Sequence, residues 1–223
     1  MLVALGYGAR AWTRNLIAFI LVVSTSVATA EPLRIAALGD SLTQGFGLME
    51  QDGFVPQLQS WLTDNGVDAT VVNAGVSGDT TQGGLSRIEW TLTPDIGALV
   101  VALGGNDLLR GLDPTVSRAN LRGILEVAAA KDVPVLLIGM EAPSNYGPEY
   151  KQAFDVIYPE LAAEFGARYL ESFFAGFGTA RDDPAELLKY MQPDGVHPNA
   201  AGVEVIVEAI GPEVPALVDP LIN

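Results

Sequence analysis

The stretch Leu33-Arg34-Ile35-Ala36-Ala37-Leu38-Gly39-Asp40-Ser41-Leu42-Thr43 reads as a short apolar run that stops at Gly39 and turns polar. The run is continuous rather than alternating, as expected for a parallel strand covered on both faces. Similar runs follow at 69–72, 98–103 and 133–139, with a weaker one at 167–170. Between them the spacing predicts helices over 54–65, 83–91, 115–131 and 150–165, with apolar residues three and four apart, as in Leu121, Leu125 and Ala128. A last helix is predicted over 199–210, with Pro198 before it as a start signal. Strands alternating with helices point to one doubly wound α/β domain. Ligands of such sheets bind beyond the carboxyl ends of the strands, here the loops opening at Gly39, Asn73, Gly104, Met140 and Glu171.

Ahead of this domain stands a different kind of segment. Arg10 and Arg14 precede an apolar run from Leu16 to Val23, and small residues follow to Ala28-Thr29-Ala30. That is the order of a secretory signal with an A-x-A cleavage site, and the run is much shorter than the ~20 residues of a membrane-spanning helix. Residues 1–30 are therefore expected to be a cleaved signal peptide and 31–223 the functional domain of an exported protein, periplasmic or secreted. Without the leader, 10 basic residues face 27 acidic ones, a formal charge of −17. Such a surface repels nucleic acid and anionic lipid headgroups, so no nucleic-acid partner and no stable membrane insertion after cleavage are expected. Cysteine is absent, which rules out disulfides and a thiol nucleophile, and one histidine leaves no basis for a zinc site. The motifs G-x-S-x-G, G-x-x-x-x-G-K and strand-borne G-x-G-x-x-G are absent, which argues against an ordinary α/β-hydrolase and the usual nucleotide binders.

The one histidine, His197, lies in the turn-rich segment Met191-Gln192-Pro193-Asp194-Gly195-Val196-His197-Pro198. A turn there lets Asp194 accept a hydrogen bond from one ring nitrogen and leaves the other free as a base. Ser41, beyond the first strand, is a weak nucleophile until such a base reaches it. On its own it would read equally well as a helix cap. Two further strand ends, Asn73-Ala74-Gly75-Val76-Ser77-Gly78-Asp79-Thr80 and Leu103-Gly104-Gly105-Asn106-Asp107, offer oxyanion donors: the backbone N–H of Gly78 and the side-chain amide of Asn106. Asp40, Asp79 and Asp107 lie on the same loops and compete with Asp194 as the third member of a triad. Leu108, Leu109, Pro143 and Tyr146 stand on strand-end loops as candidates for a substrate pocket.

Ser41, Gly78, Asn106 and His197, within Gly-Asp-Ser-Leu at 39–42, Gly-Gly-Asn-Asp at 104–107 and Asp-Gly-Val-His-Pro at 194–198, resemble the four blocks of the SGNH hydrolases, or GDSL esterases/lipases. Residues 77–85 and the Pro143-Ser144-Asn145-Tyr146-Gly147 segment look closest to the bacterial branch of thioesterase I/arylesterase/lysophospholipase enzymes. The resemblance spans nearly all of residues 31–223. It implies a three-layer α/β/α sandwich of the SGNH/flavodoxin-like kind with a mostly parallel five-stranded sheet. It also implies a triad of Ser41, Asp194 and His197, and an oxyanion hole of Ser41, Gly78 and Asn106. The expected activity is hydrolysis of small acyl or aryl esters, with thioesters or lysophospholipids as further substrates, by a monomer without cofactor or metal. A carbohydrate O-deacetylase of the same superfamily is the alternative, and a non-catalytic exported binding module a more distant one.

Overall fold

Strand β1 (Leu33–Gly39) is apolar because both of its faces are covered, and Ile35 through Leu38 are almost wholly buried. The computed structural model describes residues 32–222, so the expected signal peptide lies outside the described residues. Helices α1 (Ser41–Gln44) and α2 (Phe54–Asp64) lead to β2 (Ala69–Gly75), and α3 (Thr81–Thr91) leads to β3 (Ile96–Ala102). Helices α4 (Gly105–Leu109) and α5 (Pro114–Ala130) precede β4 (Val135–Ile138); α6 (Pro148–Asp155) and α7 (Ile157–Phe165) precede β5 (Arg168–Leu170). After a 3₁₀ stretch at Ala175–Asp182, the chain closes with α8 (Pro184–Leu187), α9 (Ala200–Ile210) and α10 (Pro215–Ile222).

The strand order is β2-β1-β3-β4-β5, with all four pairings parallel. The chain steps from β1 to β2 in one direction, then crosses back over β1 to β3 and onward. Right-handed crossovers therefore put α2 on one face and α3, α5 and α7 on the other. The packing agrees: α2 contacts α9, while α5 contacts α3, α6 and α7. This is the expected three-layer α/β sandwich, and its sheet is parallel throughout.

One predicted helix is two. The segment expected as 150–165 breaks at Val156 between α6 and α7. Pro159 has no N–H to give to the carbonyl four residues back, so an uninterrupted ladder cannot pass it. Each of the five strands lies where an apolar run predicts it, and β2 runs three residues further than expected, to Gly75. The order 2-1-3 has a direct consequence. The loop after β1 is flanked on one side by the loop after β2 and on the other by the loop after β3, at the switch point where doubly wound sheets bind ligands.

Candidate active site

Ser41 opens α1 immediately beyond β1, with Asp40 as its N-cap; one Asp40 oxygen accepts from the Leu42 N–H at 3.0 Å. From the far end of the chain, the loop before α9 closes over this point. Met191 and Pro198 form an antiparallel bridge, and the Gln192 N–H donates to the His197 carbonyl at 2.8 Å. Inside that closed loop, one oxygen of Asp194 accepts from the backbone N–H groups of Val196 (2.9 Å) and His197 (3.0 Å). Its other oxygen lies 2.7 Å from His197 Nδ1, and His197 Nε2 lies 2.8 Å from Ser41 Oγ. Three backbone and ring donors, the His197 N–H first among them, hold the Asp194 carboxyl down at about 2. It is therefore a carboxylate at any working pH. It fixes the tautomer with hydrogen on Nδ1, which leaves Nε2 to accept from the serine hydroxyl.

The two expected oxyanion donors flank Ser41 as the strand order requires. Gly78 sits in a tight turn where the Asp79 N–H donates to the Val76 carbonyl at 3.0 Å, and its φ of +83° is a conformation that glycine alone adopts without strain. Arg110, at the end of α4, donates to the Gly78 carbonyl at 2.7 Å and ties the turn to the helix that carries Asn106. Asn106 donates one amide hydrogen to Asp40 at 3.1 Å, which leaves the other for an incoming group. Asp40 is 2% exposed. Burial pushes its carboxyl up to about 6, against the opposing pull of the Leu42 N–H and the Asn106 amide.

The competing acids have other partners. Asp79 pairs with Arg87 at 2.7 Å, and Arg87 also donates to the carbonyls of Ala74 (2.6 Å) and Gly39 (2.8 Å). Asp107 is fully buried and accepts from the Thr81 N–H (2.8 Å), the Thr81 hydroxyl (2.6 Å) and the Ser117 hydroxyl (2.8 Å). Asp79 fastens the loop after β2 to α3, and Asp107 fastens α4 to α3 and α5. Asp194 is the carboxylate that meets the imidazole.

A cleft of about 340 Å³ opens beside Ser41 and Asn106, and Leu108, Leu109, Pro143 and Tyr146 all line it. The Tyr146 hydroxyl donates to the Leu108 carbonyl at 2.7 Å, which joins two of these loops. Met140, Phe174 and a Glu141–Arg181 ion pair also line the cleft. Sequence reasoning missed them, because nothing local distinguishes them from ordinary loop residues. It also missed Phe46, whose ring centroid lies 4.6 Å from that of His197. Among the described residues no group of three or more His, Asp or Glu side chains is arranged to hold a metal ion.

The sequence profile of the GDSL-like Lipase/Acylhydrolase family matches residues 37–205, a span that contains every residue of this site. The chain belongs to this family. Esterase TesA of Pseudomonas aeruginosa is 39% identical over 193 residues, covering 86% of this chain and 92% of that protein. The Thioesterase 1/protease 1/lysophospholipase L1 of Escherichia coli is 36% identical over 203 residues, covering 90% and 91% respectively. Among solved structures, the SGNH-hydrolase family esterase AlinE4 superposes with a TM-score of 0.69 at 43% identity, over 85% of this chain and 98% of that one. The resemblance to GDSL enzymes drawn from four short blocks thus extends over most of the described domain, from residue 37 to residue 205.

Proposed function

We propose that this chain is a serine esterase that hydrolyses small carboxylic esters through an acyl-enzyme on Ser41. The carrying observation is the relay of 2.8 Å from Ser41 Oγ to His197 Nε2 and 2.7 Å from His197 Nδ1 to Asp194. Ser41 Oγ attacks the ester carbonyl as its proton passes to His197 Nε2, and Asp194 stabilises the imidazolium so formed. The carbonyl oxygen becomes an oxyanion that accepts from the N–H groups of Ser41 and Gly78 and the free amide hydrogen of Asn106. The C–O bond to the alcohol breaks as His197 returns the proton to the leaving oxygen. Water, deprotonated by the same nitrogen, then attacks the acyl carbon; the bond from that carbon to Ser41 Oγ breaks as Nε2 returns the proton to Oγ, which releases the acid and restores the serine. The chemistry is closed by these side chains, with no step left for a metal or cofactor.

The apolar cleft lined by Leu108, Leu109, Pro143 and Tyr146 suits a hydrocarbon acyl chain better than an acetylated sugar, which supports an acyl or aryl esterase over a deacetylase. Thioesters and lysophospholipids are further substrates of the same chemistry. The names of the relatives, esterase and thioesterase/lysophospholipase, point the same way. Residues 1–30 act as a cleaved leader and 31–223 work as an exported monomer. The test is hydrolysis of p-nitrophenyl esters from acetate to palmitate by wild type, Ser41→Ala and Asp194→Asn. Each variant should lose on the order of 10³-fold or more in kcat. Retained activity in Asp194→Asn would return the role of triad acid to Asp40, Asp79 or Asp107, and activity confined to sugar acetates would favour the deacetylase.

A further inference from the structure

The Phe46 ring lies over the His197 ring with 37° between their planes, and it remains 47% exposed. Its loop is fastened at both ends of the catalytic pair. The Phe46 N–H donates to the Ser41 carbonyl at 3.1 Å. Its own carbonyl accepts from Gln192 Nε2 at 2.8 Å, and that same nitrogen donates to the Pro198 carbonyl at 2.9 Å. With the bond from the Gln192 N–H to the His197 carbonyl at 2.8 Å, one side chain staples the loop of Phe46 to the loop of His197. The ring is thus held on the imidazole, with about half of its surface open.

Acyl-transfer chemistry dictates what meets that open face. Protonated Nε2 must reach the leaving oxygen, so the alcohol half of the ester departs beside the imidazole. The acyl half has its own place in the cleft that runs from Ser41 past Leu108, Leu109 and Tyr146. The open face of Phe46 against the imidazole is thus an apolar surface separate from that cleft, on the residue that must protonate the departing alcohol. We infer that Phe46 is a specificity-determining residue for the leaving group, a fixed ring that favours esters of aromatic alcohols over those of small aliphatic alcohols. This rests on the acyl-transfer reading proposed above. The chain's formal charge of −15 also suits a neutral aromatic alcohol better than a polyanionic carrier. No bond or proton moves on Phe46; it acts through an aromatic contact that strengthens as the leaving group settles against it.

The experiment compares kcat/KM for phenyl butyrate and 2,2,2-trifluoroethyl butyrate in a pH-stat, using the full chain as wild type, Phe46→Ala and Phe46→Leu. Because both esters are read on one preparation, their ratio is independent of the folded fraction. The phenyl-to-trifluoroethyl ratio should fall roughly 5- to 10-fold in Phe46→Ala, the scale of one aromatic contact. Phe46→Leu should recover only a minor part of it, since leucine supplies apolar area without a ring. An unchanged ratio in Phe46→Ala, or full recovery with leucine, overturns the inference. So does an equal loss on both esters, which would mean that Phe46 only steadies His197. Wild type inactive on both esters would remove the acyl-transfer reading itself, and this inference with it.

Discussion

Burial leaves the Asp40 carboxylate with the Leu42 N–H and the Asn106 amide and little water, so its negative charge is held at a cost. Its carboxyl titrates at about 6 rather than 3.8. A raised carboxyl destabilises the fold when ionised: the penalty is absent below about 4, grows as pH rises and is complete above about 6. The shift corresponds to roughly 3 kcal/mol at neutral pH. Asp40→Asn should therefore gain stability relative to wild type as pH is raised from 4 to 7, read from urea unfolding at each pH. A difference between the two proteins that stays constant with pH would contradict this. Asp194 behaves in the opposite way, ionised down to about 2, so any acidic loss of activity above pH 4 belongs to other groups. At this scale the contact of Asp194 with His197 was legible, because one histidine had an aspartate three residues away, whereas Ser41 was singled out only through the resemblance to the four blocks. Phe46 and Gln192 were not legible, since their contact spans 146 residues and neither end carries a local signal.

At the scale of elements, α4 shows how a short helix is aimed. Gly104 caps it at φ +121°, and a Cβ there would meet the Tyr158 hydroxyl at 2.0 Å. That hydroxyl is buried on α7 and donates to the Leu103 carbonyl at 2.8 Å, so β3, α4 and α7 meet at one hydrogen bond. Gly104→Ala both strains the backbone and displaces the hydroxyl, for about 3 kcal/mol together. A domain of this size should then lose roughly 6–12 °C in Tm, and a Tm within a degree of wild type would refute this account of the corner. The strands and long helices were readable because burial on two faces or one stripe leaves a periodic signature. The turn-like helices α1 and α4 left none, being four and five residues long. The break between α6 and α7 was marked by Pro159, a signal outweighed by the apolar spacing around it.

For the whole molecule, the strand order does the assembling. With β1 between β2 and β3, the proposed oxyanion donors Gly78 and Asn106 fall on either side of Ser41, and the loop before α9 brings His197 back across 156 residues. Right-handed crossovers fix the face each helix takes once this order is given, but alternating strands and helices do not fix the order itself, which was therefore not legible in the sequence. Four lining residues of the cleft were expected from their strand-end positions, but its depth and the contribution of Met140, Phe174 and the Glu141–Arg181 pair were not, because they depend on how several loops pack. Residues 1–30 belong to this scale as well. Expressed in a bacterial host, the protein should reach the periplasm with Glu31 at its N-terminus, as read by intact mass; a periplasmic product that retains the leader would refute the cleavage. The central claim is that Ser41 is a nucleophile made reactive by His197, and labelling with a fluorophosphonate followed by peptide mapping tests it most directly. The account predicts one adduct per chain, on Ser41, formed in wild type and lost or slowed by at least about 10³-fold in His197→Ala. An adduct on another residue, or full labelling of Ser41 in His197→Ala, would contradict it.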